Sequence, residues 1–328
     1  MDNLLFLATD HGFVVCEREP DRNGWRETSR GLTGHRVTSV IAREGVILVG
    51  STDGVFRSDD LGNTWQKAST GLTIRHVRWM AFHPDVSDFE FAGTEPAAIF
   101  VSRDGAETWR ECPEVTRLRE THGWFLPYSP EAGCVRGFAF HGSRAYAAVE
   151  VGGVLRSEDG GETWRLADGS TGEPNIKEIP REPFIYPDAH SIAVHPASPD
   201  LVFAPTGGGF YRSTDGGKTW TRLYDNCYCR AVWLDPADPD HLILGPATSV
   251  SRHGRIEETH DGGRTWQPAS TDLDVPWPRH MVERFVQVGH ELLAVLSNGE
   301  LIAAPLETLE WRRILPEVKD VAAVTTMH

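Results

Sequence analysis

The sequence predicts an all-β fold, a single seven-bladed β-propeller whose blades are four-stranded antiparallel sheets. Three observations carry this expectation. An eight-residue signature recurs five times, each copy sits in the same grammar of short strands and turns, and the two ends of the chain supply complementary parts of one further blade. Internal repetition at a spacing of this size decides the architecture before any single residue does.

The signature reads Ser/Thr-x-Asp-x-Gly-x-Thr-Trp and occupies residues 58–65, 102–109, 157–164, 213–220 and 259–266, with Ala106 the one lapse at the Gly position. Ser and Asp side chains bond nearby backbone amides and so hold a tight turn without a ladder. Gly permits the positive φ of the bend, and Trp supplies a large apolar plug beside it. Around each copy the order is an apolar inner strand, a turn, a second strand, a Gly-containing bend, a third strand, the signature, and a fourth strand beginning at the Trp. Blade 2 shows it at 37–41, 46–49, 54–57 and 64–67. Period-2 patterning broken by turn residues is what antiparallel blades require.

Two further units lack the signature. One runs through 282–286, 292–295, 300–303 and 311–313. The other begins at 4–7, 12–15 and 24–26, which are strands two, three and four without a first. Residues 320–326 follow the last full blade as an orphan strand, so they are expected to become the inner strand of blade 1 and close the ring, leaving no open sheet edge. The expected division is one domain, 1–328. Blade 1 takes 1–35 plus 318–328, blade 2 takes 36–74 and blade 3 takes 75–120. Blades 4 to 7 take 133–171, 188–228, 229–273 and 278–317.

Composition narrows the function. Lys plus Arg number 32 against 47 Asp plus Glu, a net charge of −15, which argues against nucleic acid or an anionic membrane as partner. Five cysteines are too few and odd in number for a disulfide framework, and the N-terminal segment reads as a strand, without the basic start of a leader. A cytoplasmic protein is expected.

Candidate chemistry gathers where the inner strands begin. Four residues before the end of each inner strand stand Arg78, Arg136, His190, Arg230 and Arg284, with Thr38 in blade 2 and an apolar residue in blade 1. Spacing by four places them on one face of each strand. Only 28 of 328 residues are Arg, so four in seven equivalent places is an enrichment. A ring of guanidinium groups suits bidentate contacts to carboxylate or phosphate. Seven residues before the signature Ser stand Glu95 and Glu150, beside Arg78 and Arg136. Two carboxylates in one pocket can serve acid/base or glycosidic chemistry, and they can equally neutralise the ring arginines. The long connections 112–133 and 168–189 enter the same face with Trp124, Phe125, Tyr128, Phe184 and Tyr186, and a Pro-rich loop adds Trp277. Such aromatics suit a sugar, a planar ligand or a partner, and they also suit mutual packing as a lid.

His83 and His195 each precede a Pro at the same blade position and read as turn residues. His11, His35, His76, His190 and His280 are the histidines expected near the ringed face, and His76 joins the ligand-binding set. Only His190 shares the ring register, and Cys227 with Cys229 is a lone Cys-x-Cys, so no metal is assigned. No nucleophile elbow, phosphate loop or dinucleotide fingerprint is present, and no cofactor is expected.

The repeated signature resembles the Asp-box, or BNR repeat, of sialidases, sortilin-type VPS10 domains, xyloglucanase-like glycosidases and photosystem assembly factors. In those families the box is a structural turn away from the active face, so the resemblance implies fold. Sialidases add an Arg-Ile-Pro segment on six blades, which this chain lacks. Xyloglucanase-like enzymes place their acids between two propellers, so no catalytic residue transfers to this single one. Photosystem assembly factors resemble it in having one seven-bladed propeller with an arginine patch, and they are not enzymes. Two main readings follow. One is a propeller binding an anionic small molecule or carbohydrate, with hydrolysis by Glu95 and Glu150. The other is a noncatalytic propeller that holds an acidic protein segment on the same face. A His-ligated metal-dependent enzyme is a third.

Overall fold

The computed structural model describes residues 3–19, 24–125 and 133–327. They form seven four-stranded antiparallel sheets, each a blade, arranged in a ring. Val321–Thr325 pairs with Leu4–Thr9, so the C-terminal strand is the inner strand of blade 1. Second strands are buried almost throughout, because each lies between the faces of two neighbouring blades. The core is accordingly divided into clusters that join adjacent blades, such as the one uniting Phe89, Phe91, Val135, Val149 and Trp164.

The boxes hold themselves. In the copy at 213–220, the Ser213 hydroxyl donates to Asp215 Oδ1 (2.8 Å) and accepts the Gly217 amide (2.8 Å). Asp215 in turn accepts the Thr219 amide on Oδ1 (2.9 Å) and its hydroxyl on Oδ2 (2.6 Å). Gly217 has φ +81°, and Ala106 adopts φ 67° at the same place in its own box, so the lapse leaves the turn unchanged. The turn histidines also recur: His83 Nδ1 accepts the Asp85 amide and His195 Nδ1 the Ala197 amide, both at 3.1 Å.

All five box carboxylates lie below their usual range. For Asp60 and Asp261 the hydrogen bonds from Thr64 and Thr265 dominate. For Asp104, Asp159 and Asp215 partial burial pushes upward, and the summed Thr and Ser bonds outweigh it. A carboxylate depressed on folding stabilises the fold above its unfolded pKa and loses that contribution as pH falls through the folded value. Unfolding free energy in urea is therefore expected to hold down to about pH 5 and to drop below about pH 4. Asp215→Asn should shrink the drop, and an identical drop in the variant would remove the boxes as its source.

The connection 112–133, expected as loop, contains the α-helix Pro113–His122. Pro opens it, Glu114 lies in its first turn, Arg119 and His122 lie in its last, and Gly123 at φ 65° ends it. These are ordinary start and stop signals. Val115 packs into the core, and Glu114 accepts the Trp164 amide at 2.9 Å, which pins the helix to the box of blade 4. Tyr128 lies outside the described residues.

Candidate functional site

The inner strands share a defect that builds the site. Against the second strand each inner strand carries one surplus residue: between Val37 and Ser39, Val77 and Trp79, Val135 and Gly137, Cys229 and Val232, and Val282 and Arg284. Blade 1 does the same at Ala322, and blade 5 between Ala189 and Ala193. A bulge frees one residue from the ladder and re-aims its side chain. The freed residues are Thr38, Arg78, Arg136, Glu283, Ala322 and one of Arg230 and Ala231. In blade 7 the equivalent of the ring arginines is therefore Glu283. Arg284 lies one place further on, in register with Trp79. Counting from the strand end slipped by one residue there, which corrects the placement of Arg284 and brings in an acid that the count missed.

Arg78, Arg136, Arg230 and Arg284 nevertheless converge on one cavity of about 600 Å³ at the start of the inner strands. Its mouth is formed by Asp10, Arg36, Ser297, Asn298 and Asp320, and Glu283 lies on its wall. At the mouth Asp10 pairs with Arg36 (2.9 Å), and Asp320 lies 3.1 Å from His11 Nε2, so each mouth carboxylate has a partner. The floor is not charge-balanced. Arg78 pairs with Glu95 (3.4 Å), Arg136 with Glu150 (2.9 Å) and Glu283 (3.5 Å), and Arg230 with Glu283. Four guanidinium groups thus meet three carboxylates. Arg284 is the one with no carboxylate within 4 Å among the described residues. It donates to the carbonyls of Arg136 (2.7 Å) and His190 (3.3 Å) and lies 4.2 Å over the Trp79 ring.

Arg284 with Trp79, Arg136 and Arg230 also lines a narrower cavity of about 140 Å³ beyond, so the cluster forms a waist in the channel. Burial, and then the charges of Arg136, Arg230 and Arg78, push the Arg284 guanidinium down to about 9, against the opposing pull of Glu283. Glu283 moves the other way: burial would raise it, and Arg230 and Arg136 hold it below the usual carboxylate range. Arg136 stays firmly charged beside Glu150 despite its burial.

Glu95 and Glu150 occupy equivalent places, bonded across to His76 and paired across from Cys134. Both are buried and ion-paired to their own blade's arginine, and neither lines the cavity. His76 lies 4.0 Å from Glu95. His190 is fully buried, with Nδ1 2.8 Å from the Cys229 carbonyl and Nε2 3.1 Å from the Tyr228 hydroxyl, so it meets the site through its backbone alone.

Of the loop aromatics, Trp124, Tyr186 and Trp277 lie in the core, and Phe125 and Phe184 are exposed. Trp124 donates to the Gly172 carbonyl (2.7 Å), Tyr186 to that of Ile176, and Trp277 stacks on His280 at 4.9 Å. None lines the cavity, because the long connections fold back on their own blades. His11, His35, His76, His190 and His280 each have separate surroundings, and Cys227 and Cys229 are buried free thiols.

The family model for the BNR/Asp-box repeat matches residues 211–222, the third strand and box of blade 5. The chain is a seven-bladed Asp-box propeller. It is 24% identical over 232 residues to an oligoxyloglucan-reducing end-specific xyloglucanase of Emericella nidulans, a match covering 58% of this propeller and 27% of that enzyme. The propeller thus spans about a quarter of that relative's length. Among solved structures it is similar to an ancestral GH74 enzyme, with TM-score 0.62, 18% identity, and coverage of 88% of this chain and 38% of that one. It is also similar to YCF48 bound to D1 peptide, with TM-score 0.59, 14% identity, and coverage of 95% and 92%. These solved likenesses support the propeller fold.

Proposed function

We propose that this propeller is a noncatalytic binding module whose funnel receives a carboxylate of an acidic peptide segment on a partner protein. The observation that carries the reading is Arg284: a half-buried cation on the cavity floor, with no carboxylate within 4 Å among the described residues. A ligand carboxylate would supply the missing negative charge through a bidentate, charge-assisted contact. The open cavity accommodates a few residues of extended chain. The likeness to YCF48 with its bound peptide spans nearly the whole of both chains and lends support by analogy. The five unpaired thiols fit a cytoplasmic setting, which is part of the same proposal.

Carbohydrate hydrolysis is the second reading, favoured by the xyloglucanase relative. It needs Glu95 and Glu150 to reach a sugar, and both lie behind the cavity-lining Arg78 and Arg136 with which they are paired. One experiment with two arms separates the readings. A labelled Asp/Glu-rich peptide with a free C-terminus is titrated by fluorescence anisotropy at two salt concentrations, and xyloglucan is assayed for released reducing ends. We expect saturable binding that weakens with salt and no reducing ends. Reducing ends lost in Glu95→Gln would favour the enzyme, and absence of peptide binding even at low salt would remove the first reading.

A further inference from the structure

Blade 6 departs from its siblings on its outer surface. In blades 2, 4 and 5 the residue before the box Ser is Arg57, Arg156 or Arg212, and each donates to a box glycine carbonyl of the next blade, at Gly105, Gly216 and Gly262. Blade 7 carries no box, and blade 6 has Glu258 in that place. Glu258, on the third strand, and His260, just past its end, are two residues apart, so their side chains share a face. The register Leu242↔Thr259 sets His241 directly across from His260.

At the same cross-strand place, blade 4 has the ion pair Arg144 and Glu158 (3.4 Å), and blade 3 has Arg103 over Phe89 (3.5 Å). In both, the arginine is also matched to a further partner, the carboxylate of Asp200 or Glu162 respectively. Blade 6 instead stacks two histidines 4.2 Å apart and directs both at one carboxylate oxygen. His241 Nε2 is 3.6 Å and His260 Nε2 is 3.4 Å from Glu258 Oε2. Both distances exceed the ~2.7–3.2 Å of a hydrogen bond. They approach the ~3.3–3.4 Å expected between two ligand atoms that each lie ~2.0–2.1 Å from a tetrahedral zinc ion.

The surroundings fix each ligand. His241 Nδ1 lies 2.9 Å from Asp235 Oδ2, which accepts a hydrogen bond from Nδ1–H in the tautomer that leaves the Nε2 lone pair facing Glu258. That Nε2 is buried and has no hydrogen-bond partner. Gln267 donates to Glu258 Oε1 at 2.9 Å, leaving Oε2 to the histidines. Trp233 meets the His241 ring edge-on at 5.4 Å and holds its plane. A ligating histidine held by a carboxylate on its other nitrogen is the usual outer support of a metal site.

We infer that His241, Glu258 and His260 form a divalent metal site of the zinc class, with a fourth position open to solvent beside the exposed His260. The three ligand atoms all lie within 4.8 Å of one another. Glu150, Asp188 and His190 meet the same spacing. There, however, Arg136 holds Glu150 at 2.9 Å and the Tyr228 hydroxyl lies 3.1 Å from His190 Nε2, so a cation would face a cation.

The test is a cobalt(II) titration of tag-free, chelator-stripped full chain near neutral pH. We expect four-coordinate visible bands that saturate at one equivalent and are displaced by zinc(II). His260→Ala and Glu258→Gln should each weaken cobalt binding at least about 10-fold, and Asp235→Asn, a positioning change, by about 10- to 100-fold. Zinc should raise the melting temperature of the parent chain and leave that of Glu258→Gln unchanged. His260 occupies the variable second place of its box, where other copies have Asp59, Arg103, Glu158 and Thr214, so its alanine variant keeps the turn. A parent chain without a one-equivalent endpoint, or an unchanged endpoint and affinity in both ligand variants, would overturn the site.

Discussion

Replacing Glu283 by Gln is expected to lower the unfolding free energy by about 3 kcal/mol or more, the loss typical of breaking a buried ion pair from one side. Glu283 is the shared counter-ion of Arg136 and Arg230, and it also lies beside Arg284. Gln keeps the volume of the bulged residue and removes the charge, so three guanidinium groups would then face one another across the waist with less compensation. Glu17→Gln, which loses only an exposed pair with Arg26, should change stability by less than about 0.5 kcal/mol. The pH dependence has a definite sign. Because Arg230 and Arg136 hold Glu283 below the usual range against its burial, its contribution is present at neutral pH and lost on acidification. Urea unfolding at neutral pH measures the effect. A loss below about 1 kcal/mol would mean that the arginines relax apart without their counter-ion.

Arg284→Gln should weaken capture of the acidic peptide by about 10- to 100-fold, since a hydrogen bond to a charged group contributes about 1.5–3 kcal/mol. Gln can still donate to one of the two carbonyls that Arg284 now serves, so the waist keeps part of its lining. Arg36→Gln is the control. That side chain is exposed at the mouth and already paired with Asp10, so its loss should change affinity by less than about 3-fold and mainly alter the association rate. Anisotropy titrations of both variants, with the same peptide and salt, make the comparison. Equal losses at rim and floor would show a diffuse electrostatic attraction in place of a seat at Arg284.

The blade register was legible because the box is local. Its Ser, Asp, Thr and Gly bond one another within eight residues, so the pattern survives in sequence without help from tertiary contacts. The convergence of Arg78, Arg136 and Arg230 was legible for the same reason, once the boxes aligned the blades. Glu283 was missed because a bulge shifts face by one residue, and seven-residue stretches such as Val282–Val288 carry no mark of where the surplus residue lies. The helix Pro113–His122 left a readable signal in its opening Pro, first-turn acid and closing Gly. It was obscured by a polar face pattern with Val115 alone buried. Trp124, Tyr186 and Trp277 were expected over the funnel, since aromatic type says nothing about which pocket a loop finds. Glu258, His260 and His241 went unnoticed because two of them lie inside and beside a box, where the repeat drew attention to its constant positions.

The pairing of Val321–Thr325 with Leu4–Thr9 gives the ring a chronology. A ribosome delivers the second, third and outer strands of blade 1 first and its inner strand after every other blade has emerged. Until then Leu5, Leu7 and Val14 lack Val321 and Val324, with which they share a buried cluster. The nascent chain is therefore an open arc with one unfinished end, and the emergence of Val321–Thr325 is what turns it into a circle.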